Sequence, residues 1–175
     1  MRLAITLAAF MCLGCASETA VKPPLDKPVF DFLRINWAWG FQCRGSYING
    51  SGQVRTYVCD RPGDSVPEFR NPQDRIRAVQ RRFYMNDTLV ANRDSLEVLE
   101  MYQLLWQAEK EPLTEPRDLG ADQGGRSIRG ILYDTLSQQP RDVLLSEQGD
   151  RECHREGPAS ARLLKWLVPD RTPGR

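Results

Sequence analysis

A single histidine, His154, stands in 175 residues, and that scarcity removes much familiar chemistry. It neighbours Cys153, but one Cys-His pair is too few ligands for a tetrahedral zinc site. Adjacency in sequence does not set a thiol and a base at hydrogen-bond distance either. The chain has no Walker A loop, no dinucleotide fingerprint and no H-E-x-x-H helix. Ser127, between Gly125 and Gly130, has the wrong spacing for a G-x-S-x-G elbow. No charge of one sign dominates: 24 basic and 23 acidic residues leave a formal charge of +1. That balance argues against general nucleic-acid binding and against electrostatic attraction to a membrane. These absences lead us to expect no catalytic residue, no metal and no cofactor. One enzyme class escapes the argument, a hydrolase with carboxylates dispersed along the chain.

What is present begins at the N-terminus. Met1-Arg2 is followed by Leu3 to Leu13, almost wholly apolar. That run falls short of the roughly 20 residues a helix needs to span a bilayer, but it fits the apolar core of a secretory signal. At its end stands Cys12-Leu13-Gly14-Cys15. This resembles the lipobox of bacterial lipoproteins, in which Gly or Ala precedes a lipidated Cys. Gly14-Cys15 matches, whereas Cys12 replaces the usual Leu and Leu13 is bulkier than the usual small residue. The resemblance covers the first fifteen residues. It implies a signal peptide over 1–14, lipid attachment at Cys15 and a membrane partner through that lipid. By the sorting rule of enteric bacteria, Ala16 after the Cys implies the outer membrane. The alternative is a plain signal peptide cut near Ala16 or Ala20, giving a soluble secreted protein.

After Cys15, residues 16–28 lack periodicity and carry three prolines, the composition of an extended tether. A single domain is expected over 29–169, with a frayed tail at 170–175. Cys43, Cys59 and Cys153 would then lie in an oxidising compartment, where a disulfide persists.

The most ordered stretch runs from Leu33 to Cys59. Leu33, Ile35, Trp37, Trp39, Phe41 and Cys43 alternate with Arg34, Asn36, Ala38, Gly40, Gln42 and Arg44, the period of a half-buried strand. NGSG marks a turn, and Gln53 to Cys59 reads as the returning strand. A loop with an odd number of residues centred on Ser51, such as Gly50-Ser51-Gly52 with a G1 bulge, sets Ile48 opposite Val54 and Cys43 opposite Cys59. Directly opposed α-carbons lie about 4.5 or 5.5 Å apart, within or near the span a disulfide accepts. A Cys43–Cys59 bond is therefore expected, with Cys153 free or paired to another molecule. A two-residue Asn49-Gly50 turn would instead put Cys43 opposite Thr56. Trp37 and Trp39 share one strand face, either packed in the core or forming an aromatic platform for a sugar or peptide. Val54 to Asp60, VRTYVCD, resembles the Cys-containing strand of membrane-bound lysozyme inhibitors over seven residues, without that family's Ser-Gly-x-Arg-Tyr type loop.

Further along, Asn71-Pro72 reads as a helix start with Ile76, Val79 and Phe83 at helical spacing, although a strand over 77–83 is the alternative. Arg75, Arg77, Arg81 and Arg82 make a solvated face or a patch for an anionic partner. Asp94 and Glu97 form a capping box for a helix from Ser95 to Lys110, with Leu96, Leu99, Tyr102, Leu105 and Ala108 as its apolar stripe, widened by Val98, Met101, Leu104 and Trp106 into a well-buried helix. Residues 111–126 read as a long loop. Asp118 and Asp122 there do not have the alternate spacing of an EF-hand. A second hairpin is expected over 127–146, then a polar turn, then a helix opened by Gly157-Pro158 and ended by Pro169. The expected fold is α+β: a single antiparallel sheet from two hairpins with helices packed on one face. The expected function is that of a non-catalytic, tethered cell-envelope domain that binds a protein or wall component, with an enzyme inhibitor or a periplasmic hydrolase as alternatives.

Overall fold

Asn49 builds the first turn with its own side chain. Its Oδ1 accepts from the Gln53 backbone N–H and from the Ser51 hydroxyl, each at 2.8 Å. Gly52 takes φ 92°, a left-handed conformation that costs glycine little. The computed structural model describes residues 21–36, 42–58, 87–120, 124–137 and 139–168. In it, β2 (Gln42–Asn49) and β3 (Gln53–Val58) flank the three-residue loop. Ile48 faces Val54 and Arg44 faces Val58, the register expected for a loop centred on Ser51.

The alternating run before that turn is two strands rather than one. β1 (Pro28–Asn36) pairs antiparallel with β2, with Ile35 opposite Cys43. Alternation continues on both sides of the reversal because both strands bury the same face, so the period alone does not mark where the chain turns back. Trp37, Trp39 and Phe41 lie outside the described residues, as do Cys59 and the expected helix after Asn71-Pro72.

The remaining strands are β4 (Thr88–Asn92), β5 (Arg117–Asp118), β6 (Gly125–Tyr133), β7 (Pro140–Gly149) and β8 (Arg151–His154). Among the described residues they form one antiparallel sheet in the order β4-β3-β2-β1-β6-β7-β8-β5. This corrects the α+β expectation. Eight strands carry the described chain, and the helices α1 (Ser95–Ala108) and α2 (Pro158–Leu167) are short, so the fold is β-rich. The extra strands were hidden for a physical reason. β4 is exposed along its whole length, and the polar stretch read as a turn forms the end of β7 and all of β8. Such segments owe their conformation to ladder hydrogen bonds with a neighbour, which local apolar pattern does not report.

Both helices begin as expected. Asp94 Oδ1 accepts from the N–H groups of Leu96 and Glu97 at 2.7 and 3.3 Å, satisfying donors that the first turn leaves unpaired. All five buried residues of α1, Val98, Met101, Tyr102, Leu105 and Ala108, belong to the expected apolar face, whereas Leu96, also expected there, is exposed. Gly130 lets α1 approach, since a Cβ there would stand 2.3 Å from the Leu105 methyls. Pro158 opens α2, and its N–H groups are capped from far along the chain. The Glu111 carboxylate accepts from Ala159 N at 2.8 Å and Ser160 N at 2.9 Å. Arg155 locks the same region by donating to the carbonyls of Glu109, Glu111 and Leu144.

Candidate functional site

The strand registers place four polar side chains side by side. Arg55 faces Tyr47 across β3 and β2, Tyr47 faces Asp31 across β2 and β1, and Asp31 faces Arg129 across β1 and β6. Directly opposed residues share a face, so the row lies on one side of the sheet. Gly130 and Phe30 lie on the other side with the helices.

Each charge in the row is met by an opposite charge or a hydroxyl. Arg55 grips Asp87 with two bonds, Nε to Oδ2 at 2.5 Å and Nη2 to Oδ1 at 3.1 Å. The Tyr47 hydroxyl donates to the same Oδ2 at 2.5 Å. The Arg55 bond outweighs partial burial and holds the Asp87 carboxyl below its ordinary range. Asp87 therefore stays ionised at neutral pH and has no proton to give. Asp31 is 1% exposed and accepts from the Tyr57 hydroxyl at 2.6 Å. Tyr57 reaches it by lying across β2 at Gly45, where a Cβ would stand 2.3 Å from the ring carbon Cζ and the hydroxyl oxygen. Arg129 pairs with Asp142 on β7 at 2.5 Å. Burial alone would lower the Arg129 pKa and is its largest influence, yet Asp142, Asp31 and Glu147 together leave it raised. The guanidinium is a fixed positive charge. A network of this kind locks strand register, because removing one member strands the charge of another.

At the far side of the row, Cys153 on β8 faces Glu147 on β7, with Sγ 3.8 Å from Oε2. Burial, aided by Glu147, raises its pKa, so this free thiol stays protonated and is a poor nucleophile. His154 is the next residue on the strand and points to the other face, where it is exposed, with Nε2 3.9 Å from Glu156 Oε1. Successive strand residues face opposite ways, so Cys153 and His154 are not a thiol–imidazole dyad.

Of the other residues singled out from sequence, Cys43 is buried and disulfide-bonded. Cys15, Cys59, Trp37, Trp39 and Asp122 lie outside the described residues. Asp118 sits on the two-residue strand β5, exposed. On α1, Glu100 is paired to Arg162 of α2. Among the described residues no cluster of three or more His, Cys, Asp or Glu is arranged to hold a metal, and no helix is long and apolar enough to cross a membrane. Sequence reasoning missed the polar row entirely. Its members are spread over residues 31–142, and only the pairing of five strands and Asp87 brings them together. No family model, no curated protein and no solved structure matches the chain.

Proposed function

We propose that the chain is a cell-envelope lipoprotein, anchored through lipid on Cys15, whose β-rich domain binds a protein or wall component rather than turning over a substrate. The observation that carries the anchor is Gly14-Cys15 directly after the apolar run Leu3 to Leu13. The non-catalytic reading draws support from the polar row. Asp87 is held ionised by Arg55 and Tyr47, Arg129 is held charged against Asp142, and Cys153 is buried as a thiol. Groups locked in these states stabilise a scaffold and are poorly placed to shuttle protons. The outer membrane is the proposed destination, following Ala16 after the lipidated Cys.

The test is incorporation of labelled palmitate. Cys15→Ser should abolish labelling and release the domain from membranes into the soluble fraction. Equal labelling of variant and parent would end the lipoprotein reading. Co-purification from cross-linked envelopes then identifies the partner.

A further inference from the structure

The segment that enters the domain is not a free linker along its whole length. Val21 packs against the core. Ser51 N donates to Leu25 O at 2.9 Å, and Gly50 N donates to Lys27 O at 3.1 Å. Residues 21–27 are thus fastened along the β2–β3 turn. Between Cys15 and Val21 there are only six residue steps, which span at most about 20 Å fully extended.

The end of the sheet at which this segment is fastened also carries the three most exposed large apolar side chains of the described residues, Leu136, Leu96 and Leu25. Leu25 is 67% exposed beside the β2–β3 turn. Leu136 is 95% exposed in the β6–β7 turn, and Tyr133 just before it donates its hydroxyl to Pro28 O at 2.9 Å. Leu96 is 74% exposed at the start of α1, three residues after Arg93, whose N–H donates to Gly52 O. Val168, 46% exposed, follows α2, where Arg93 stacks 4.4 Å from the Trp166 ring. Charges of both signs, Asp26 and Asp94 beside Lys22 and Arg93, accompany them, so the patch is apolar rather than basic.

We propose that this end of the domain docks on the bilayer surface that holds the Cys15 lipid, with Leu25, Leu96, Leu136 and Val168 against the interface. The inference rests on the lipid anchor proposed above. The short span selects the occupant, because ten residue steps keep Leu25, at the β2–β3 turn, within about 35 Å of the lipidated residue. Apolar contact supplies the attraction, as for other interfacial anchors. The opposite end of the sheet, where Arg126 faces Gln148, then points away from the membrane.

The experiment uses the full-length lipidated protein in phosphatidylcholine vesicles that contain a nitroxide-headgroup lipid as quencher. An environment-sensitive fluorescent amino acid is placed at Leu136 or at Gln148, both exposed. Quenching should be several-fold stronger at position 136. The double variant Leu25→Asp, Leu96→Asp should at least halve it, with the circular dichroism spectrum unchanged. Equal quenching at the two positions, or no effect of the double variant, overturns the docking while the lipid anchor stands. Absence of incorporated palmitate in the same sample overturns the anchor itself, and the docking with it.

Discussion

A methyl group at position 45 has nowhere to go. The ring of Tyr57 passes over Gly45 to reach buried Asp31, and the Phe32 carbonyl oxygen lies 2.4 Å from where a Cβ would stand. Gly45→Ala must displace the Tyr57 ring, the β1 backbone or both. The expected cost is about 2–3 kcal/mol, in the range for overpacking a filled site, measured from urea midpoints at constant slope. Tyr57→Ala removes the obstruction on the side-chain side, so the double variant should lose less than the sum of the single losses. Additive losses would mean that the Tyr57 contact is not what excludes the methyl. The same side chains explain why the polar row tolerates burial. Asp31 and Arg129 face each other, and Asp142 and the Tyr57 hydroxyl complete their partners.

Among the elements, α2 depends most on a distant residue. Gly157 stands at its N-cap with no side chain to accept a hydrogen bond, so Glu111 supplies the acceptor from just beyond α1. Burial raises the Glu111 pKa and is its largest single influence, but the bonds from Ser160 and Ala159 and the nearby Arg155 together bring it below its ordinary value. A carboxylate depressed in the folded state contributes stability that is present above its unfolded pKa. That contribution is lost as pH falls through the folded value. Glu111→Gln should therefore cost about 1 kcal/mol at pH 7, as expected for a charge at a helix N-terminus. The gap between variant and parent should close as the pH falls below the ordinary carboxylate range. A gap that persists unchanged at low pH would show that the packing of residue 111, not its charge, holds α2.

At the scale of the whole molecule, the core fills both faces of the sheet: Phe30 on β1 and Val143 on β7 lie under the helices with Leu105 and Leu163, while Tyr57 on β3 is buried on the opposite face. Such a core does not hinge on one covalent link. Cys43 is disulfide-bonded and Cys153 is free, and the odd loop centred on Ser51 makes Cys59 the expected partner of Cys43. Non-reducing peptide mapping should recover that linked pair, and reduction should lower stability by about 3 kcal/mol while leaving the protein folded. A peptide joining Cys153 to either partner would contradict both the register and the burial of Cys153 beside Glu147.

Local signals determined a good deal by themselves. Asn49 and the glycines after it mark the turn between β2 and β3, and of the two loop lengths the sequence leaves open the structure has the odd one. Asp94 with Glu97 starts α1, and Gly157-Pro158 starts α2, because capping is chemistry between near neighbours in the chain. The lipobox-like Gly14-Cys15 belongs to the sequence alone, since the resemblance rests on residue order and not on a folded feature. Tertiary structure decided the rest. It split the alternating run from Leu33 into β1 and β2, made strands of β4, β5 and β8, and left Leu96 at the start of α1 facing solvent. It also assembled Asp31, Tyr47, Arg55, Asp87 and Arg129 into one row and bound residues 21–27 to the β2–β3 turn. Each of these outcomes depends on which strand lies beside which. That choice is made by hydrogen bonds and packing between residues tens of positions apart, where no local period or spacing carries the information.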